Sequence, residues 1–258
     1  MRYKDLLYFL VLRDITVLYK QTVFGFAWAI INPLIQILIF SFIFGSIAGI
    51  KPDIDGMPYV IFSSLAIIPW TYFSNALNSA STSLIGASGI FTKVYFPRLF
   101  IPITPIISKL LDFTISLIIL AALMIYFGYY PGINILYLPI PLLIIILTAS
   151  GLGFWFSSLA LQYRDFRFAI NFFLPVLMYV APVAFPTSMV KDKFGEVVYH
   201  IYGCYPMVGA IEAFRKAFTY EAEYPWMLIS ISITASIVIF ISGVWYFRKT
   251  ENYFADIA

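Results

Sequence analysis

Residues 28–50 contain no charged side chain, and this run restricts the possible fold more than any other feature of the sequence. A helix needs about 20 mainly apolar residues to cross a bilayer. The whole chain agrees, because 62% of its residues are hydrophobic and only 11% are charged, against roughly 25% charged residues in soluble domains. The sequence therefore predicts an all-α integral membrane protein and excludes a domain that lives in water.

Further apolar segments of similar length follow the first, and the chain is predicted to form one transmembrane domain over residues 1–258 with six spans. The predicted spans are 28–50, 59–81, 106–127, 138–161, 168–185 and 226–247. The Gly/Pro-containing sequence GYYPGIN separates the third span from the fourth, which predicts a tight hairpin between them.

Lysine and arginine residues are concentrated on one side of the predicted spans. They are Arg2, Lys4, Arg13, Lys20, Lys93, Arg98, Arg164, Arg167, Arg248 and Lys249. Cytoplasmic loops of membrane proteins are enriched in these two residue types. Both termini are therefore predicted to be cytoplasmic, which is consistent with an even number of spans.

Two segments are predicted to be helical without crossing the membrane. Residues 1–27 place apolar side chains on one helical face and cations on another, which is typical of an amphipathic helix lying on the cytoplasmic surface. Residues 186–224, on the outer side, include the short apolar sequence YPMVGAIEAFRKAF, which indicates re-entrant or interfacial helices. Within it Glu212 is spaced to pair with Arg215 or Lys216 on one face.

The sequence lacks the residues that several kinds of chemistry require. No phosphate-binding G-x-x-x-x-G-K-[ST] loop is present, so this chain is not predicted to hydrolyse ATP by that route. His200 and Cys204 are too few for a zinc site, which needs three or four ligands, and we predict no metal site. Lys109 and Asp112, three residues apart, are expected to pair with each other near the start of the third span; a role in coupling or gating is the alternative.

Two side-chain stripes are candidates for a transport pathway. The second span carries Thr71, Asn75, Asn78 and Thr82 at helical spacing, and the fifth carries Phe168, Phe172 and Tyr179. Such residues often serve only for helix packing or as interfacial aromatic belts. Together they would also suit a carbohydrate, because sugar rings stack on aromatic faces and hydroxyl groups bond to amides.

Four sequence strings resemble one family of membrane proteins. They are RDITVLYKQTVFGFAWAIINPLIQILIF (13–40), IFTKVYFPRLFIP (90–102), LQYRDFR (161–167) and YPMVGAIEAFR (205–215). In this order and topology they resemble the permease subunits of type-2 ABC exporters of polysaccharides, such as O-antigen, capsule and teichoic-acid exporters. One departure is Tyr205, because the family usually has Asn at that position.

The resemblance implies that transport requires two kinds of subunit, one that forms the channel and one that binds ATP. Two copies of this chain would form a channel in the cell inner (plasma) membrane. Each copy would bind an ATP-binding cassette subunit, and that partner, not this chain, would bind ATP–Mg. The cargo would be a lipid-linked polysaccharide, with membrane lipid as surroundings and no nucleic-acid partner. The chain itself would be neither an enzyme nor a cofactor-binding protein.

The resemblance also implies roles for particular residues. The loop between the second and third spans would be a cytoplasmic coupling helix that docks on the ATPase through Phe91, Lys93, Tyr95, Phe96 and Arg98. An outer gate would include Pro206, Met207, Glu212 and Arg215. Apart from the resemblance, the two stripes lead us to add Phe24 and Trp28 as pathway candidates for stacking on sugar rings.

Other functions stay open on the sequence alone. A type-2 ABC permease for a small lipid or drug is the alternative within the same class. A membrane scaffold or enzyme that needs no ATPase is the alternative outside it. The cations of the loop between the second and third spans would also fit simple anchoring at lipid headgroups, although this does not explain its aromatic and proline residues.

Overall fold

A computed structural model describes residues 2–20, 27–54, 56–87, 97–163, 165–219, 223–251 and 254. Within these ranges the regular structure is helical and no strand occurs, so the prediction of an all-α protein is confirmed there. The coupling residues Phe91, Lys93, Tyr95 and Phe96 and the pathway residue Phe24 lie outside the described residues.

The α-helices are numbered here in chain order. They are α1 (Arg2–Lys20), α2 (Ala27–Phe40), α3 (Tyr59–Gly86), α4 (Phe100–Ser108), α5 (Leu110–Tyr126), α6 (Pro139–Gln162), α7 (Phe166–Val180), α8 (Ser188–Gly203), α9 (Pro206–Ala217) and α10 (Trp226–Thr250). A π-helical segment, Ser41–Ile47, continues α2, and a 3-10 turn, Ile133–Tyr137, precedes α6.

Five helical stretches of the described residues are long and apolar enough to cross a membrane. They are Ala27–Ile47, Tyr59–Gly86, Phe100–Tyr126, Ile133–Gln162 and Trp226–Thr250. The predicted fifth span corresponds to α7, which is apolar but has only 15 residues. At 1.5 Å per residue this helix is about 22 Å long, whereas the hydrocarbon core is about 30 Å thick. The structure thus supports a multi-pass membrane protein with five candidate spans.

Helix α3 is at the centre of the protein. It packs against α2, α4, α5, α6, α7 and α9. Every side chain from residue 61 to residue 70 is buried, so the first half of this mainly apolar helix is enclosed on all faces. A helix that is apolar all round is stable only when other helices surround it, and this explains why α3 is the least exposed of the candidate spans.

Helices α6 and α10 approach each other through two glycines. A Cβ atom built on Gly243 would lie 2.2 Å from the carbonyl oxygen of Gly151. A Cβ on Gly151 would in turn lie 2.7 Å from the backbone of Ile239. Small residues at such positions let two helix backbones pack closely inside a membrane. Beside this contact, the rings of Trp155 and Tyr246 stack with centroids 4.0 Å apart.

Replacing Gly243 with Ala is therefore expected to lower the free energy of unfolding by about 1–3 kcal/mol, the usual cost of overpacking. The added methyl meets backbone atoms, which cannot rotate away. Thermal unfolding in detergent measures the effect. Gly86→Ala is the matched control, because the Cβ that it adds meets no other segment of the described residues within 4 Å. Equal melting temperatures for the two variants would contradict the close contact.

Candidate functional site

A polar groove lies where α2, α3 and α7 meet. It encloses about 170 Å³. Its lining residues are Gln36, Trp70, Thr71, Ser74, Asn75, Leu174, Pro175 and Met178. Two of the predicted pathway residues, Thr71 and Asn75, therefore lie in one cavity, where they are joined by side chains from two other helices.

Gln36 is a member of this groove that sequence reasoning missed. The Thr71 hydroxyl donates a hydrogen bond of 3.0 Å to Gln36 Oε1, which connects α2 to α3. Gln36 is one of two side-chain amides, with Asn32, in this uncharged and mainly apolar run, and this was the signal available in the sequence. In lipid such a group turns toward protein or water. The bond leaves the Gln36 amide nitrogen able to donate to another group.

The predicted aromatic stripe of α7 is exposed. Phe168, Phe172 and Tyr179 are 76%, 67% and 67% accessible, whereas Leu174 on the same helix is buried. These rings do not line the groove. Pro175, however, lies three residues after Phe172 and four before Tyr179, so it shares their face while lining the groove. The groove and the aromatic face therefore adjoin at Pro175.

Two further predicted pathway residues, Trp28 and Asn78, do not line the groove. Trp28, in the first turn of α2, is 46% exposed. Asn78 is exposed on α3, one turn beyond Asn75, and is absent from the groove lining. Of the described pathway residues that were predicted, only Thr71 and Asn75 therefore lie together in the groove.

A charge cluster surrounds α9, far along the chain from the groove. It consists of Asp53, Glu212, Arg215 and Lys216, and we call it the α9 charge cluster. Glu212 Oε2 lies 3.9 Å from Arg215 Nη1, and Glu212 Oε1 lies 3.9 Å from Lys216 Nζ. Lys216 Nζ is also 3.9 Å from Asp53 Oδ2. The predicted pairing of Glu212 with the cations one turn later is confirmed.

Arg215 is the most buried member of this cluster, with 1% of its surface exposed. Its Nη2 donates a 3.0 Å hydrogen bond to the Val183 carbonyl, and Nη1 donates a 3.3 Å bond to the Phe185 carbonyl. The guanidinium carbon lies 3.8 Å above the centroid of the Phe62 ring, a cation–π contact. A buried arginine is tolerated because hydrogen bonds and aromatic faces replace the lost water.

These hydrogen bonds supply partners for backbone carbonyls that lie between helices. Residues 181–187 form turns between α7 and α8. Three consecutive carbonyls, of Val183, Ala184 and Phe185, accept from side chains, and the Tyr59 hydroxyl supplies the middle bond at 2.7 Å. Buried backbone carbonyls almost always require such partners. Arg215 and Tyr59 therefore hold this turn against α3 and α9.

Glu212 is nearly as buried as Arg215. Burial raises the pKa of its carboxyl, and the neighbouring Arg215 and Lys216 oppose that shift. Its Oε2 atom has no hydrogen-bond partner among the described residues, nor has Arg215 Nε. The predicted gate residues Pro206 and Met207 begin α9 and are also buried. Pro206 occupies the first helical position, where its missing N–H costs nothing.

Further sequence predictions fall elsewhere in the fold. Lys109 Nζ lies 3.0 Å from Asp112 Oδ2 at the bend between α4 and α5, so the predicted pairing is confirmed. Arg98 donates a hydrogen bond to the Glu251 carbonyl at the end of α10. Among the described residues, no group of three or more His, Cys, Asp or Glu side chains is arranged to hold a metal ion.

Comparison with known protein families places these features in context. Residues 5–219 match the ABC-2 type transporter family. The chain belongs to this family. Proteins of the ABC-2 type are membrane subunits of transporters that work with a separate ATP-binding subunit. An ABC-2 chain with several apolar helices is a multi-pass membrane protein.

Several ABC-2 relatives resemble the chain over most of its length. The O-antigen export system permease protein RfbA of Klebsiella pneumoniae is 27% identical over 98% of this chain and 95% of its own. RfbA of Myxococcus xanthus is 23% identical over 99% and 96%. The polysialic acid transport protein KpsM of Escherichia coli is 26% identical over 81% and 79%.

Proposed function

We propose that this chain is the channel-forming permease half of an ATP-driven exporter that moves a lipid-linked polysaccharide from the cytoplasm across the inner membrane. The observation that carries the proposal is the similarity to polysaccharide exporter permeases, which extends over 98% and 99% of this chain for the two RfbA proteins. Such similarity covers the pathway, the ends of the spans and the connecting segments together.

The proposed topology keeps six crossings with both termini in the cytoplasm. Helix α7 would be the short crossing, with the turn 181–187 completing its passage. Helices α8 and α9 would enter the membrane from the outer side and return. The burial of α9 supports this arrangement, because a helix of 12 residues is too short to span. The α9 charge cluster would then brace the outer gate.

The channel would form between two copies of the chain. The groove at Thr71 and Asn75 would supply hydroxyl and amide contacts to sugars. The exposed Phe168, Phe172 and Tyr179 rings would stack on the sugar faces, and their junction with the groove at Pro175 supports one continuous surface. Closure of the ATP-binding subunits would open this path.

Replacing Phe172 and Tyr179 together with Ala should reduce export of glycan about tenfold, because each lost ring contact is worth about 0.5–1.5 kcal/mol beyond its area. Cell-surface glycan in a strain lacking the native permease measures the effect, and co-purification with the ATP-binding subunit reports assembly. Tyr126→Ala with Tyr130→Ala is the control, since these rings, at the end of α5 and in the loop after it, are at least as exposed as Phe172 and Tyr179. Unchanged export would remove the aromatic face from the pathway.

Reconstitution tests the substrate class. In proteoliposomes that contain both subunits, we expect ATP to drive movement of a labelled lipid-linked glycan and not of hydrophobic dyes. Movement of the dyes alone would favour a permease for small lipids or drugs. Movement of the glycan without ATP or without the ATP-binding subunit would contradict the proposed mechanism.

A further inference from the structure

A second cavity, larger than the groove, lies where α1 crosses the end of α3 and the side of α4. It encloses about 320 Å³. Its polar lining comes from Arg13, Asp14, Ser79, Thr82, Ser83, Thr104 and Lys109. Pockets for small ligands begin at about 300 Å³, so this cavity is large enough for one headgroup and too small for a chain of sugars.

The cavity carries both signs of charge. Lys109 is paired with Asp112 at 3.0 Å, and Asp14 Oδ2 accepts a 2.5 Å hydrogen bond from the Ser108 hydroxyl. The remaining groups of these pairs are available: Asp14 Oδ1 accepts no hydrogen bond from the described residues, and a lysine ammonium has three donors. The lining holds two cations and one carboxylate, and Asp112 pairs with Lys109 from outside the lining. The presence of both signs beside a ligand favours a zwitterion over a simple anion.

Arg13 is the side chain most able to meet a ligand. It is exposed at the cavity, and no hydrogen bond or ion pair is recorded for it within the described residues. A planar guanidinium binds a phosphate through two parallel N–H groups. By contrast, Ser83 and Thr104 donate their hydroxyl protons to the carbonyls of Ala80 and Phe100, so their oxygens face a ligand as acceptors. Acceptors of this kind suit an ammonium group.

Helix α1 also offers an apolar surface next to the cavity. Phe9 and Val17, one turn before and after Arg13, are each 63% exposed, as is Tyr8. Leu10 faces the cavity itself. An amphipathic helix with exposed apolar side chains beside cations is typical of a helix lying at the boundary of headgroups and acyl chains.

We infer that this cavity binds the headgroup of an aminophospholipid, phosphatidylethanolamine in chemical class. Arg13 and Lys109 hold the phosphate, Asp14 with the Ser83 and Thr104 oxygens holds the ammonium, and the acyl chains lie along Phe9 and Val17. The bound lipid joins α1 to α3 and α4. This site depends on the proposed function only through the topology, which makes the cytoplasmic leaflet the source of the lipid. It requires no polysaccharide transport.

Native mass spectrometry of the purified full-length chain tests this site with three phospholipids that carry identical acyl chains. Phosphatidylethanolamine is expected to bind at least about tenfold more tightly than phosphatidylcholine or phosphatidylglycerol, the effect of one charge-assisted hydrogen bond. Phosphatidylcholine has the same phosphate but no N–H donor. Phosphatidylglycerol keeps the phosphate and lacks the ammonium.

Variants assign the contacts. Arg13→Gln should weaken the binding of phosphatidylethanolamine about tenfold. Asp14→Asn should remove the preference for phosphatidylethanolamine over phosphatidylcholine, and the retained amide oxygen can still accept from Ser108. Arg248→Gln is the control, because it removes an exposed cation at the end of α10, outside the cavity. Soluble glycerophosphoethanolamine should compete poorly, because it lacks acyl chains.

Equal binding of phosphatidylethanolamine and phosphatidylcholine to the native chain would overturn the inference. So would tighter binding of phosphatidylglycerol, which indicates a plain anion site, or full competition by glycerophosphoethanolamine, which indicates a soluble ligand. Native-like binding by Arg13→Gln would also overturn it. None of these outcomes bears on polysaccharide export, which the proteoliposome assay measures separately.

Discussion

Arg215→Met is expected to destabilise the protein by about 3–5 kcal/mol, the usual cost of removing one partner from a buried charge pair. The methionine keeps an unbranched apolar side chain but is shorter and has no donor. It leaves the Val183 and Phe185 carbonyls without their side-chain partner and Glu212 without its nearest buried cation. Thermal unfolding in detergent, followed by size-exclusion chromatography, measures the loss.

Two further variants separate the causes of this loss. Lys216→Met is the matched control: Lys216 is next in sequence and also 3.9 Å from Glu212, but it contacts no carbonyl of the turn 181–187 and is partly exposed. We expect it to cost less than about 1 kcal/mol, as for ion pairs near the surface. Adding Glu212→Gln to Arg215→Met should recover part of the stability, because no uncompensated carboxylate then remains.

If Arg215→Met and Lys216→Met have equal effects, the hydrogen bonds to the turn contribute little and the cluster acts only through charge. If the double variant is no more stable than Arg215→Met, the lost carbonyl bonds account for the whole effect. A melting temperature of Arg215→Met equal to that of the native protein would contradict the role of this residue in holding the turn.

Apolar run length predicted most of the helices, because the bilayer imposes one length on every crossing. It misplaced the ends of helices where the sequence contains proline. The third span was predicted to begin at residue 106, whereas α4 begins at Phe100 and continues through Pro102 and Pro105. Pro102 lies in the first turn, where its missing N–H would be unbonded anyway, whereas Pro105 lies inside the helix. The predicted fifth span is shorter than expected, since α7 ends at Val180.

The candidate site was less predictable than the fold. Helical spacing placed Thr71 and Asn75 on one face of α3, and both line the groove. Spacing within one helix contains no information on which neighbour faces it, so Gln36 on α2 was missed. The pairing of Glu212 with Arg215 followed from their spacing. The bonds from Arg215 to residues about 30 positions earlier required the packed structure.

Reversing the charge of the segment before α4, with Lys93→Glu and Arg98→Glu together, should reduce co-purification of the ATP-binding subunit at least about tenfold and abolish export. Cations and aromatic residues at a protein interface commonly contribute most of its binding energy, and like charges opposed across an interface cost several kcal/mol. Pull-down from solubilised membranes measures the complex, and surface glycan measures export.

The single variants decide whether this effect comes from the interface or from the fold. Arg98 binds the Glu251 carbonyl, so Arg98→Glu also loosens the end of α10 from the segment that leads into α4. Lys93→Glu alone should therefore lower binding of the partner without changing the melting temperature. Arg248→Glu makes the same charge change at an exposed cation elsewhere on the predicted cytoplasmic side and should leave binding intact. If only Arg98→Glu acts, and the melting temperature falls with binding, the segment is a structural brace. If Lys93→Glu alone weakens binding of the ATP-binding subunit, this segment is its docking site. The hydrogen bond from Arg98 to the Glu251 carbonyl then connects the docking site to α4 and α10.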